Sequence, residues 1–349
     1  MHRLNESLPG AEVIGFDTGF FASSLACEHV LPEITCRAQI FGDVRNIDLS
    51  FLSQFDAFVF LAAISNDPMG NRFAHLTNEI NRDAHLRILR AVSAMRNKRV
   101  VFASSCSMYG SGGGQVKSEQ DELDPLTAYA KSKVEIEEYL SALSPDENLY
   151  TSLRFATACG ASDRVRLDLV LNDFVASALQ TGEIEILSDG QSWRPLIAVS
   201  DMASAVEWGL TRSASNGGQY VAINVGSDEW NYQIHDLARQ VAATIPSTKV
   251  SLNAANPSDP RSYKVSFAKF KAMAPDHQPK SVLPEVITKL ADSIEGTLAS
   301  MGSSFRDSEF VRLKALDKLI SSGYLDENLH WQKRVTKPVT QKARGASSS

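Results

Sequence analysis

The chain has 349 residues, 43% of them hydrophobic, and its 35 Lys and Arg against 41 Asp and Glu leave a net charge of −6. That is enough apolar material for one large domain or two lobes, and the acidic balance argues against nucleic acid as the main partner. No apolar run reaches bilayer-spanning length, MHRLNESLPG lacks an apolar leader core, and Cys27, Cys36, Cys106 and Cys159 show no zinc-type spacing. A cytoplasmic protein with free thiols, no membrane contact and no metal is the expectation.

Residues 12–17, EVIGFD, read as a strand ending in an acid, and Phe41-Gly42-Asp43 closes another. Residues 55–63, FDAFVFLAA, read as a continuous apolar strand. Residues 74–96 carry helical periodicity in Leu76, Ile80, Leu86, Leu89 and Val92; His75 and His85 on that helix are expected to be surface or packing residues. KRVVFA reads as a buried strand. It leads into the hydroxyl run ASSCSMYG (103–110), where Cys106 reads as filler, and then Gly112–Gly114. Thr127 reads as the N-cap of the next helix, and residues 149–155 as the strand after it. Strands alternating with helices predict a parallel, doubly wound α/β sheet.

Beyond residue 160 the pattern changes. A helix is expected over 172–179, short strands at 183–187 and 194–199, a helix near 202–210 and a strand at 220–225. The remainder reads as mostly helical, with a polar Pro-rich segment at 255–261 and a disordered basic tail at 335–349.

Tyr129 and Lys133 stand four residues apart on one helix face. A lysine ammonium beside a phenol is expected to lower its pKa from about 10. A serine at the end of the preceding strand then completes a set that can take a proton from an alcohol whose carbon loses hydride. The carboxyl edge of such a sheet is where ligands bind.

These segments, in order, resemble the extended short-chain dehydrogenase/reductases, specifically the nucleotide-sugar epimerase/dehydratase group. The resemblance is carried by GFDTG, GDVR, LAAISNDP, Asn81, SSCSMYG, Tyr129-x-x-x-Lys133, LRFATACG and WRPLIAVSDMA. It implies a Rossmann-type sheet with a smaller α/β substrate lobe. Residues 1–165 and about 195–226 would form the NAD-binding domain, and about 166–194 and 227–334 the sugar-nucleotide lobe. It implies Ser105, Tyr129 and Lys133 as the catalytic set, with Lys133 also on the nicotinamide ribose. Asp17 would accept from the adenosine ribose and favour NAD over NADP. Asp43 and Val44 would border the adenine, and Leu61, Ala62, Ala63, Asn81 and Ser104 would lie along the cofactor. Ser105, Ser107 and Tyr129 would face the sugar, and Asn172, Arg194 and Arg261 the substrate diphosphate. A homodimer pairing helices 74–96 and 127–143 is also implied.

The resemblance departs at one place. The family's first strand and its Gly-x-x-Gly-x-x-Gly turn do not stand in this sequence; residues 1–5 read as the helix that should follow them. The residues favour Met1 as an internal methionine, with the natural start roughly 15–20 residues upstream; a degenerate chain that binds cofactor poorly is the alternative. Lacking that strand, the 349-residue form is expected to be unstable or weakly active.

For the reaction, Cys106 and Ser107 stand where dehydrating relatives carry acids, and Ser107 where decarboxylating ones carry glutamate. Epimerisation at C4 of a nucleotide-diphosphate sugar, through a 4-keto intermediate, is therefore expected. The alternatives are a 4-ketoreductase of a nucleotide-linked keto-deoxy sugar and a catalytically impaired nucleotide-sugar-binding protein.

Overall fold

A computed structural model describes residues 1–26, 31–143, 147–253 and 261–333. Cys27, most of the Pro-rich segment and the basic tail lie outside the described residues. The chain opens with helix α1 (His2–Ser7), followed by strands β1 (Ile14–Asp17), β2 (Ala38–Phe41) and β3 (Ala57–Phe60). Helices α2 (Asp67–Arg72), α3 (Ala74–Asn78) and α4 (His85–Ser93) come next, then strands β4 (Arg99–Ser105) and β5 (Val116–Lys117). Helix α5 (Ala128–Ser141) leads to β6 (Leu149–Phe155) and β7 (Thr157–Cys159). After these come α6 (Val170–Thr181), β8 (Glu183–Ile186), β9 (Trp193–Ala198), α7 (Val199–Thr211) and β10 (Tyr220–Val225). The last stretch holds β11 (Asn231–Gln233), α8 (Ile234–Thr244), β12 (Lys249–Leu252), β13 (Lys264–Val265), α9 (Ala268–Met273), α10 (Leu283–Ser300) and α11 (Arg312–Ser321).

The central sheet is parallel, in the order β10-β6-β4-β3. Alternate residues of β4 feed opposite faces, as the period-2 pleat demands. Val100 and Phe102 pack with Ile88, Leu89, Val92, Ile136 and Leu140 from α4 and α5. Val101 packs with Ala205 and Trp208 of α7 on the other side. Both faces are covered by helices, so the strands read as unbroken apolar runs.

Among the described residues, strands β1 and β2 pair in parallel only with one another. The expected strand 55–63 is shorter, 57–60: Leu61 is 62% exposed and Phe41 66%. No further strand covers these side chains among the described residues, which leaves their flanks open to solvent. The segment after residue 226 is less helical than expected, because β11 pairs with β9, β12 with β8 and β13 with β5.

The helix expected over 74–96 ends at Ser93 and carries a π-helical stretch, Glu79–Ala84. That wider turn brings Asn81 over the end of β3. Its Oδ1 accepts from the Ile64 N–H at 2.8 Å and its Nδ2 donates to the Ile64 carbonyl at 2.9 Å. A buried amide satisfied on both sides fixes the loop that leaves β3.

A buried ion pair joins α5 to the sheet. Arg154 on β6 donates from Nε to both carboxylate oxygens of Glu137, at 3.1 and 3.0 Å, and from Nη2 at 2.6 Å. Its Nη1 donates to the Tyr109 hydroxyl at 3.1 Å, and Tyr109 donates to Asn224 on β10 at 2.8 Å. Both charges are nearly water-free, so losing one partner strands the other. Arg154→Met should lower the unfolding free energy by about 3–5 kcal/mol in urea titrations. Adding Glu137→Leu should recover most of that loss; a double variant as unstable as the single one would contradict the account.

Candidate active site

Strand β4 ends at Ser105, and the chain turns at once into a short 3-10 segment, Cys106–Tyr109. Ser105 starts that turn: its Oγ accepts from the Ser107 N–H at 3.2 Å and shares a 2.9 Å hydrogen bond with the Ser107 hydroxyl. Gly110 closes it at φ +60°, with the Asp124 carbonyl where a Cβ would stand. Helix α5 begins with Thr127 capping the Ala130 N–H at 3.2 Å, which sets Tyr129 in its first turn. The Ser105 hydroxyl acts on the Tyr129 phenol and holds its pKa down. Serine and tyrosine thus meet at the carboxyl edge of the sheet.

The electrostatics differ from the sequence-based expectation. Burial pushes the Tyr129 phenol above its ordinary value, opposed by the Ser105 hydroxyl and by the charge of Arg166. Lys133 is not the cation that acts on it. The lysine is buried, its Nζ donates to the Ala103 carbonyl at 2.7 Å, and it lies 4.6 Å from the Phe102 ring centre and 5.4 Å from that of Tyr129. Burial pulls its pKa down to about 7, with Glu137 pulling the other way. His85 packs below, edge-on to Phe60 and Phe102. Its Nε2 is buried without a partner, and burial followed by the charge of Lys133 pulls it down to about 3.

The remaining expected residues fall into groups. Asp17 ends β1 and accepts from the Gly19 N–H at 2.5 Å. Asp43 is held by Arg45, at 2.6 Å, and Val44 packs beside Phe20, Phe21 and Ile64. Ala62 and Ala63 follow β3, beside the loop that Asn81 fixes. Ser104 donates to Met108 Sδ at 3.1 Å and is turned inward. Asn172 is spent on backbone: it accepts from the Gly160 N–H and donates to the carbonyls of Arg166 and Gly160. It shapes the 160–166 loop and has no amide hydrogen left for a phosphate. Arg194 donates to the Arg261 carbonyl and lies over the Tyr263 ring, so the two arginines do come together.

Sequence reasoning missed three residues here. Tyr263 is buried and feels the charges of Arg194, Arg261 and Tyr129; nothing in its spacing marked it. Gly112 explains the triple glycine: at φ +63°, a Cβ there would stand 2.7 Å from the Tyr263 Cβ and 2.6 Å from the Ser262 carbonyl oxygen. The glycine admits the 262–265 segment against the serine loop, where β13 pairs with β5. Arg166 donates to Ser65 at 2.9 Å and pairs with Asp168, which in turn accepts from Asn66 at 2.6 Å. Two clefts, of about 410 and 670 Å³, lie elsewhere and include none of Ser105, Tyr129 and Lys133. Chemistry rather than cavity size locates the site.

A parallel α/β sheet carrying serine, tyrosine and lysine at its carboxyl edge is the arrangement of a dinucleotide-dependent enzyme. The chain belongs to the NAD dependent epimerase/dehydratase family, whose model matches residues 1–226. It is 31% identical over 160 residues to an uncharacterized UDP-glucose epimerase of Bacillus subtilis, covering 45% of this chain and 49% of that one. It is 27% identical over 244 residues to a UDP-glucose 4-epimerase of Lacticaseibacillus casei, covering 62% and 72%. The chain thus spans about half the length of the Bacillus relative. Among solved structures, MoeE5 in complex with UDP-glucose and NAD superposes with a TM-score of 0.69 at 22% identity, over 85% of this chain and 95% of that one. A UDP-N-acetylglucosamine 4-epimerase from Methanobrevibacter ruminantium gives 0.69 at 20%, over 86% and 94%.

The residues present fit NAD. A carboxylate ends β1, small side chains follow β3, and a buried guanidinium nitrogen of Arg312 has no partner. No group of three or more His, Cys, Asp or Glu able to hold a metal occurs among the described residues.

The two depressed cations have a measurable consequence in the free protein. Relative to the folded state, the unfolded chain binds more protons at His85 between about pH 3 and 6.5, and at Lys133 between about 7 and 10.5. Stability therefore rises with pH across both windows, by up to about 1.4 kcal/mol per pH unit for each group. In urea titrations His85→Leu should flatten the lower window, while Lys133→Met should flatten the upper one and, by removing a charge that helps hold His85 down, narrow the lower one. A wild-type stability level between about pH 4 and 6 would contradict a neutral, buried His85.

Proposed function

We propose that this chain inverts the 4-hydroxyl of a nucleotide-diphosphate sugar through a transient 4-keto sugar. The observation that carries the reading is Ser105 at the end of β4 with its hydroxyl acting on the Tyr129 phenol; among the described residues no carboxylate acts on that phenol. Cys106 is buried and burial pushes its thiol up, while Ser107 is engaged with Ser105. Neither can deliver a proton to a leaving hydroxyl, which dehydration requires. The relative named UDP-glucose 4-epimerase, similar over 62% of this chain, supports the same reading.

Bound NAD supplies a reversible hydride acceptor for C4. The chain's own residues do the rest. Tyr129, as phenolate, takes the proton of the 4-hydroxyl and later returns one to the 4-oxygen. Ser105 holds that oxygen and shares its proton. Arg166 supplies positive charge that favours the phenolate. Lys133 and Asp17 would hold the two ribose ends of the cofactor, and Asp43 and Val44 would border its adenine. Leu61, Ala62 and Ala63 would lie alongside it, with Asn81 and Ser104 shaping the wall. Arg194, which lies over the Tyr263 ring, and Arg261 would grip the substrate diphosphate, with Asn172 positioning their neighbouring loop. Residues 1–165 with about 195–226 would carry the cofactor and the remainder the sugar nucleotide. We also propose a cytoplasmic homodimer through α3–α4 and α5. The outer face of α5 carries charged Lys131, Glu135 and Glu138, so pairing there would be polar and salt-sensitive.

Proton NMR of a panel of nucleotide-linked hexoses incubated with protein and NAD should show one pair related by inversion at C4, with no net NADH consumed. Tyr129→Phe should cut turnover by about 10²–10⁴-fold while calorimetry shows unchanged binding of the nucleoside diphosphate. Retained turnover in that variant, or stoichiometric NADH consumption, would overturn the proposal.

A further inference from the structure

The loop after β7 reaches across to the loop after β3. Arg166 donates from Nη1 to the Ser65 hydroxyl at 2.9 Å. It also grips both carboxylate oxygens of Asp168, from Nε at 3.0 Å and from Nη2 at 2.9 Å. Asp168 in turn accepts from Asn66 Nδ2 at 2.6 Å. The side chains of Arg166 and Asp168 are only 19% and 11% exposed, so water and salt weaken this pair far less than a surface one. Both ends are anchored. Asn172 on α6 donates to the Arg166 carbonyl at 2.8 Å. On the other side Ser65 follows Ile64, whose N–H and carbonyl are both held by Asn81.

Asn66 carries the connection onward. Its Oδ1 accepts from the Met69 N–H at 2.8 Å and caps α2, and its carbonyl accepts from the Gly70 N–H at 2.8 Å. The first turn of α2 is thus built on Asn66. That turn is fixed in the core, because Met69 is buried with Ile64, Phe73 and Leu76. Gly70 stands four residues on from Asn66 and faces α5. A Cβ placed there would lie 3.6 Å from the Tyr129 Cβ and 3.7 Å from the Tyr129 nitrogen, so α2 lies directly against the residue that carries the phenol.

We propose that Arg166, Asp168 and Asn66 form a positioning bridge: the loop after β7, through the Asn66 cap, seats α2 against Tyr129 and so fixes where the phenol meets the sugar. This rests on Tyr129 as the group that moves the proton. The three side chains act through Tyr129, on the rate of the chemical step, and contribute little to holding the nucleotide sugar.

Asn66→Asp in the full chain isolates the bridge. Aspartate caps a helix as well as asparagine does, but it sets two carboxylates face to face where an amide donated. Adding Asp168→Asn restores one donor and one acceptor with their places exchanged and the charge conserved. Asn66→Ser is a milder variant: it keeps a capping oxygen, loses the amide and introduces no facing charges. In steady-state assays with NAD, Asn66→Asp and Asn66→Ser should lower kcat about tenfold or more while KM stays within about twofold. The exchanged double variant should return to within about threefold of wild type. In protein carrying ¹³C at tyrosine Cζ, the Tyr129 signal, identified by its loss in Tyr129→Phe, should move in both single variants and return in the double one. Full kcat in both single variants, a rise in KM that matches the loss of rate, or a folded double variant no faster than Asn66→Asp would overturn the bridge. A Tyr129 signal that stays put in active protein would overturn it too. If wild-type protein turns over no nucleotide sugar and the signal still moves and returns, the bridge to Tyr129 is upheld and the epimerase reading is the one that falls.

Discussion

The Glu137–Arg154 ion pair holds the rest of the site in place. It ties α5 to β6, it lies almost out of reach of water, and it reaches through Tyr109 to Asn224 on β10. Helix α5 carries Tyr129 and Lys133; the loop held by Tyr109 carries Ser105. One guanidinium thus sets the distance between the phenol and the alcohol. A charge pair so deep is expensive to desolvate, and apolar side chains would serve stability as well. What an apolar pair would lack is the directed fork that locks a helix, a strand and a loop in a single register.

A second theme is how much polar chemistry goes into holding backbone. Asn81 and Asn172 each satisfy a loop rather than a ligand, and Lys133 is anchored to Ala103. Such groups would preorganise the proposed Ser105–Tyr129 pair, and preorganisation is where enzymes obtain most of their electrostatic advantage. The lysine is the instructive case. Without ligand it is a desolvated cation over two aromatic rings, held well below its ordinary pKa. A hydroxyl acceptor placed before it would restore its charge.

Much of this was legible in the chain itself. The strand RVVFASS, the Thr127 cap and the four-residue step from Tyr129 to Lys133 are local signals, and local signals survive folding. So is the hydroxyl run, because a strand that ends in serines can only present them at the sheet edge. The rest depends on tertiary neighbours. The π-helical turn at 79–84 leaves no mark in periodicity, and β11–β13 are too short to show alternation. Arg166, Tyr263 and Arg312 come from segments remote in sequence from Ser105, and only the folded chain brings their charges to bear. The sense of the Tyr129 shift was misread for the same reason: spacing places Lys133 beside the phenol but says nothing of the burial that both share.

The pairing of β13 with β5 has a consequence beyond architecture. Arg261 stands three residues before β13, and β5 lies a few residues past the turn that begins at Ser105, with Gly112 pressed against the intervening backbone. A molecule grasped by its nucleotide tail would tug directly on the scaffold of the sugar-reacting alcohol. On the proposed reading, recognition of the nucleotide and readiness of the serine would be a single mechanical event, and a sugar lacking its nucleotide would find the machinery slack.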